Sequence, residues 1–374
     1  MRYFTAGESH GPCLIGILEG LPAGLVLSVE KINQDLWRRQ QGYGRGGRMK
    51  IESDTVEILA GIRRGETIGS PLALLVRNKD HTIDVLPPVT KPRPGHADLT
   101  GVLKYNRQDA RDILERASAR ETTMRVAIGA VCKQLLAELG IELVGHVVAL
   151  GPVRAQTEGM TVQQIRERSE ASPVRCADAQ AEQQMIEAID RAKSEGDTLG
   201  GVFEVMATGV PVGLGSHVHW DRKLDANIAR ALMSVQAIKG VEVGLGFEAA
   251  RRYGSQVHDE ILPAEEGGMV RRTQNHAGGF EGGMTNGQPV VVRAAMKPLS
   301  TLMKPMRSVD LQTGEEVRGA VERSDVCAVP AAAVIGEAVV AIELETEVLD
   351  KFGGDSLAEL KRNFAAYVES CRRW

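Results

Sequence analysis

Aromatic residues are scarce in this chain: six phenylalanines, five tyrosines and three tryptophans make up 4% of 374 residues. With so few rings, a single-stranded nucleic acid has little to stack on. A net charge of −4 removes the general affinity for polyanions that a basic protein carries. Cysteine is sparse too, and the five (Cys13, Cys132, Cys176, Cys327, Cys371) are odd in number with no CxxC pair. That argues against a disulfide scaffold and fits a reduced, cytoplasmic protein. No apolar run reaches bilayer-spanning length, and Met1-Arg2-Tyr3-Phe4-Thr5 lacks the layout of a signal peptide, so no membrane partner is expected. The eight histidines show no metal spacing such as HExxH, so no metal site is expected either. These absences leave a small molecule as the first partner to consider.

Glycine is plentiful, at 41 residues, while the hydrophobic and charged shares of 43% and 25% are ordinary for a globular protein. The richest stretch is Lys91 to Arg125. In Lys91-Pro-Arg93-Pro-Gly95-His96 two prolines stiffen the backbone around an arginine, and Gly95 permits a tight turn. After Asn106, apolar residues at Ile113, Ala117, Met124, Ile128, Val131, Leu135 and Leu139 recur at helical steps and stop at Gly140. This spacing predicts one long helix with Arg116 and Arg120 a turn apart beside its apolar stripe. A guanidinium at the edge of a core needs an anionic partner. Arg93, His96, Arg116 and Arg120 together are therefore expected to form an anion pocket.

Other segments carry the same chemistry. His10 lies in Gly7-Glu-Ser-His-Gly11-Pro12, a turn that serves equally well as plain surface or as part of a site. Trp37 to Lys50 carries Arg38, Arg39, Arg45, Arg48 and Lys50, four glycines and no acid. It reads as a solvated basic loop or a phosphate or carboxylate clamp, the latter favoured because it stands out in an acidic chain. Asn275 to Gly287 is either a mobile loop or backbone laid against a ligand. Lys297-Pro-Leu-Ser-Thr301 offers a cation and two hydroxyls suited to phosphate, and Arg323-Ser-Asp325 reads as an ion pair or more.

The order of elements suggests a repeat. Gly20-Leu-Pro-Ala-Gly-Leu25 and Gly209-Val-Pro-Val-Gly-Leu214 each follow a strand-like run and precede a helix, about half a chain apart. Helices are expected after Ser28 to near Gly42, from Thr161, from Asp178 to Gly196, over Leu224 to Ile238, through Ile342 and over Leu357 to Cys371. Strands are expected within Ile51 to Arg77, over Ile141 to Leu150 and over Val290 to Met296. Two similar halves sharing one core follow, with a helical insertion at 155–197.

Taken in order, GESHG, RRQQGYGRG, RPGHAD, ERASARET, GGFEGGMTNG, KPLST and RSDVCAVP cover most of the chain, and together they resemble chorismate synthase. The resemblance implies an α+β fold: a single-domain β-α-β sandwich with an internal pseudo-two-fold repeat, the halves being roughly 1–150 and 198–345. It implies a lyase that eliminates phosphate in a 1,4 sense from 5-enolpyruvylshikimate 3-phosphate, giving chorismate as the last step of the shikimate pathway to aromatic amino acids. Reduced FMN would be required without net redox change, with NADPH at most its indirect reductant, and the assembly would be a homotetramer. By the same resemblance, His10 would act at the reduced flavin near N1, His96 as general acid on the leaving phosphate, and Asp325 with flavin N5 as proton acceptor. Arg39, Arg45, Arg48, Arg93, Arg120 and Arg323 match cationic positions around the substrate. Arg116, Ala117, Ser118, Gln236, Ala237, Gly282, Lys297, Pro298, Leu299, Ser300, Thr301 and Arg323 match flavin positions, and Arg39 and Arg45 also match NADP positions. One departure is local: relatives often continue CAVP with Arg-Ala, where this chain has Ala331-Ala332.

The charges agree with that reading, because a phosphate and two carboxylates suit a site of arginine, lysine and histidine. Two rivals remain at the level of sequence. One is an NADPH-dependent flavin reductase with Arg38 to Arg48 on the 2′-phosphate. The other is a nucleic-acid-binding module resting on Trp37 to Lys50, which the acidic balance and lack of rings disfavour.

Overall fold

The structure is a computed structural model that describes residues 1–46, 53–264, 270–322 and 325–372, so Arg48 and Arg323 lie outside the described residues. Two sheets enclose a layer of helices. The first is built from β1 (Arg2–Ala6), β2 (Cys13–Glu19), β3 (Val56–Ala60) and β4 (Leu72–Arg77), in antiparallel order β1-β2-β4-β3. Alternation places Leu14 and Leu18 of β2, and Leu72, Leu74 and Val76 of β4, on the buried face. Helix α1 (Val29–Gln40) follows β2. Its cap is Ser28, whose hydroxyl accepts from the Lys31 N–H at 3.1 Å.

The predicted helix from Asn106 to Gly140 is interrupted. After α2 (Asp98–Tyr105) come α3 (Arg111–Ala117) and, past an extended Ser118, a short turn of helix leading into α4 (Thr122–Ala137). The Ser118 hydroxyl accepts the Arg120 N–H, capping a new start where periodicity alone suggested continuity. Arg116 and Arg120 therefore fall on different elements.

The second sheet holds β5 (Glu142–Leu150), β6 (Gly201–Thr208), β7 (Ile238–Val243) and β8 (Val290–Met296), in order β5-β6-β8-β7, with a two-residue strand, Val153–Arg154, added at the β5 edge. The order of the four long strands repeats that of the first sheet. Strand β5, which the sequence groups with the first half, hydrogen-bonds in this second sheet. Between β5 and β6 lie α5 (Val162–Ala171), opened by the Thr161–Gln164 capping box, and α6 (Ala179–Ser194), capped by Asp178. Helix α7 (Leu224–Met233) ends before Ile238, which instead begins β7 after the positive-φ Ala237. Helix α8 (Val329–Phe352) runs through the centre, almost wholly buried, against α4 and the strands β5 and β6. Helix α9 (Leu357–Cys371) closes the chain.

The two halves share atomic detail as well as strand order. Thr67 Oγ1 accepts from the Leu25 N–H at 2.9 Å and donates to the Pro22 carbonyl at 2.6 Å. Thr285 Oγ1 does the same for Leu214 and Pro211 at the same two distances. The glycine-rich segment around Gly279 thus serves in part as a structural clip, pinned further by Asn275, whose side-chain Oδ1 accepts from the Gly279 N–H.

Candidate active site

Three groups of side chains, one around each proposed catalytic residue, are tied together by hydrogen bonds. The first centres on His10. Its Nδ1 lies 2.9 Å from Glu115 Oε1, and its backbone N–H donates to Glu115 Oε2 at 2.8 Å. Burial alone would raise the Glu115 carboxyl, but hydrogen bonds from His10 and Arg111 hold it below the usual carboxylate range. The turn carrying His10 is clamped by Asn78, whose amide donates to the Gly11 carbonyl at 2.7 Å. Arg116 donates to the carbonyls of Gly7 and Thr5 at 3.0 and 2.8 Å.

The second group centres on His96. Asp98, fully buried, accepts from Arg93 Nε at 2.8 Å and makes a short contact with His96 Nδ1. Burial opposes ionisation of Asp98, yet His96 and Arg93 hold its carboxyl well below the usual range. Arg93 Nη1 also donates to Thr301 Oγ1 at 3.0 Å. The Gly95 carbonyl, at a residue with φ of 78°, accepts from Ser300 Oγ at 2.9 Å. Lys297 Nζ donates to Ser300 at 2.9 Å, and burial together with Lys239 pulls the Lys297 ammonium below its ordinary value. The proline-stiffened turn and the KPLST segment, two hundred residues apart in the chain, form one polar surface.

The third group is arginine-rich. Arg45 Nη1 lies 2.8 Å from Asp325 Oδ2, and the Gly46 N–H donates to Asp325 Oδ1 at 2.6 Å. Arg39 donates to Thr122 Oγ1 and to the Ala119 carbonyl, and lies 3.5 Å from Asp54. Arg120 donates to the same Asp54 at 2.6 Å and to Asn78 Oδ1 at 2.8 Å. Burial, with Arg120 and Arg45 close by, pushes the Arg39 guanidinium down to about 9. A region where like charges strain against one another favours an arriving anion.

Contacts join the groups. Asn78 links the His10 turn to Arg120, and Ser118 Oγ donates to Ser9 Oγ at 3.2 Å. Arg111 bridges Glu115 and Glu322, on the segment leading to Asp325. Thr198 Oγ1 donates to the Leu299 carbonyl, Leu199 N–H to that of Val326, and Val326 N–H to that of Gly44. That path runs from the His96 group to the Arg45–Asp325 pair.

Not every sequence candidate joins in. Arg38 points the other way, into a hollow of about 450 Å³ where Glu337, Asp35 and Glu170 engage it, so it is no anion clamp. Acid-free sequence did not mean acid-free surroundings. Gly282 sits on a hairpin beside His217 and Met284, and among the described contacts none joins it to Lys297–Thr301. Gln236 Nε2 donates to Glu121 at 3.2 Å, while its buried Oε1 has no partner, and the Ala237 carbonyl accepts from the Lys297 N–H. The carboxylates Asp54, Asp98 and Glu115 were not singled out from sequence. Asp98 and Glu115 stand inside RPGHAD and ERASARET, so the signal was present, two residues after one histidine and one before Arg116.

A family model described as chorismate synthase matches residues 1–349. A chorismate synthase from Bacillus cytotoxicus is 56% identical over 391 residues, covering 100% of both chains. One from Geobacter sulfurreducens is 57% identical over 391 residues, covering 100% of this chain and 99% of the relative. A solved crystal structure of a chorismate synthase superposes with a TM-score of 0.83 at 46% identity, covering 100% of this chain and 98% of that one. With the match extending along the whole length in both sequence and fold, the chain belongs to the chorismate synthase family of lyases.

Proposed function

We propose that this protein removes phosphate from 5-enolpyruvylshikimate 3-phosphate by 1,4-trans elimination, giving chorismate, with reduced FMN bound. The observation that carries this reading is the gathering of His96, Arg93, Thr301, Ser300 and Lys297 into one polar surface from distant parts of the chain, which suits an anion. Arg39, Arg45, Arg93 and Arg120, with Arg48 and Arg323, would receive the carboxylates and phosphate. Charge neutralisation lowers the barrier to phosphate departure, and a proton from His96 would complete it. Asp325, held beside Arg45, would accept the substrate proton, and His10 would hold a proton next to the flavin.

Residues that would hold the flavin fit it chemically. The unpartnered, buried Gln236 Oε1 is an acceptor for a ring N–H, and Lys297 with Ser300 and Thr301 suits a phosphate tail. Arg116 to Ser118, Ala237, Pro298 and Leu299 would complete that set. Reduced FMN, when bound, would supply an electron-rich ring to the reaction. Its reduction would come from outside the chain, NADPH acting only indirectly, and the protein would work as a cytoplasmic homotetramer on the shikimate route to aromatic amino acids.

An anaerobic assay with dithionite-reduced FMN and the phosphorylated substrate tests the proposal. Chorismate and inorganic phosphate should appear together in equal amounts. Phosphate without chorismate, or neither product, overturns it.

A further inference from the structure

The two imidazoles given roles above are gripped in the same manner at Nδ1, although they come from unrelated stretches of chain and His10 Nε2 also lies 3.9 Å from Asp80 Oδ2, beyond hydrogen-bond reach. His96 meets Asp98 through Nδ1, and Arg93 holds Asp98 through Nε at 2.8 Å and Nη2 at 3.1 Å. His10 meets Glu115 through Nδ1 at 2.9 Å, and Arg111 holds Glu115 at 3.2 Å. Both carboxylates are buried, and each also accepts a backbone N–H, from Arg93 and His10 respectively. We propose that Asp98 and Glu115 are positioning residues that keep His96 and His10 as Nδ1–H tautomers, so that Nε2 is the atom exchanging protons with bound ligand. This rests on the reaction proposed above.

The chemistry follows from what each group can donate. An ionised carboxylate only accepts, so the ring nitrogen facing it must carry hydrogen. Arg93 Nη2 also lies 3.1 Å from His96 Nδ1, but a guanidinium only donates and cannot satisfy an Nδ1–H; Asp98 can. When protonated His96 acts as an acid, the Nε2–H bond breaks and an O–H bond forms on the departing phosphate. The ring's positive charge is lost and the Nδ1–H bond to Asp98 stays in place. No rotation and no tautomer change interrupts turnover. Asp98→Asn would put an amide there, able to offer an N–H to Nδ1 and so trap the opposite tautomer.

The test combines spectroscopy and kinetics on the full-length, flavin-loaded protein. Isotope-labelled imidazole nitrogens, with His96 and His10 assigned through His96→Gln and His10→Gln, report which nitrogen carries hydrogen in the neutral ring. Both should show Nδ1–H in the parent protein. Asp98→Asn should reverse His96 alone and Glu115→Gln should reverse His10 alone. In Asp98→Asn, kcat should fall by about 10²-fold or more with KM for the phosphorylated substrate nearly unchanged. A parent His96 found mainly as Nε2–H overturns the proposal without any variant needing to fold. So does a folded Asp98→Asn that keeps kcat or loses only KM. Nδ1–H tautomers in a parent protein that makes no chorismate would instead sink the reaction while leaving the positioning intact.

Discussion

Two buried guanidiniums side by side in the chain behave differently here because the fold gives them different partners. Arg38 is fixed by Glu337 at 2.7 Å, by Asp35 and by Glu170, whereas its neighbour Arg39 donates to the Thr122 hydroxyl and the Ala119 carbonyl. Although burial works against its charge, the Glu337 carboxylate raises the Arg38 guanidinium further above its usual value. Removing one side leaves Glu337 buried and without its principal cation, so Arg38→Met should cost about 3–5 kcal/mol in urea unfolding. Turnover of the folded fraction should be little changed. By contrast, His96→Ala should lower kcat by about 10²-fold or more while FMN still titrates onto the protein; unaltered kcat would remove His96 from the reaction.

Glu345 makes a prediction of a different kind. It is fully buried on α8, with Cys132 Sγ 3.7 Å from one carboxyl oxygen and the other oxygen unpartnered. Burial pushes its carboxyl up to about 8. The folded state thus favours the protonated form, so its contribution is fully present below the unfolded value near 4.5 and lost as pH rises through about 8. Glu345→Gln, which cannot ionise, should therefore gain stability over the parent as pH goes from 5 to 8, by at most about 1.4 kcal/mol for each pH unit. Thermal unfolding at both pH values measures it, and a pH-independent difference would contradict the buried neutral carboxyl.

Among the elements, the contact between α4 and α8 decides how close the two halves come. A Cβ on Gly129 would lie 2.5 Å from both Cα and Cβ of Ala338, and one on Gly336 would lie 2.4 Å from the Phe203 ring. Alanine is worth about 1 kcal/mol more than glycine inside an isolated helix. Here the overlap is with backbone, which cannot swing aside, and overpacking of that kind costs about 1–3 kcal/mol. Gly129→Ala should therefore destabilise the protein in denaturant unfolding; a stabilised variant would mean the helices can separate at little cost. Ser118 shows the opposite balance, since one side-chain cap ends a helix that the apolar period would have continued.

Over the whole molecule, the repeated strand order places two helix-backed sheets around α4 and α8, and the loops between them carry the candidate site. Apolar side chains remain on the outside, among them Phe4 at 73% exposure and Trp220 at 74%. The homotetramer proposed above would cover some of this surface, and light scattering should then give a mass four times the 40.4 kDa of one chain. A monomer at working concentration would contradict the tetramer.

Local chemistry already settled a good deal. The Ser28, Thr161 and Asp178 caps, the paired GLPAGL and GVPVGL turns, the strand Val290–Met296 and the motif order were all readable because each depends on neighbours a few residues away. Tertiary structure alone decided where the charges go. That Arg38 meets Glu337, that Glu115 meets His10 and that Glu142–Leu150 joins the second sheet depend on pairings 299, 105 and at least 51 residues apart in the chain. A guanidinium's partner is chosen by what the fold brings within about 3 Å, and no periodicity in the chain records that distance.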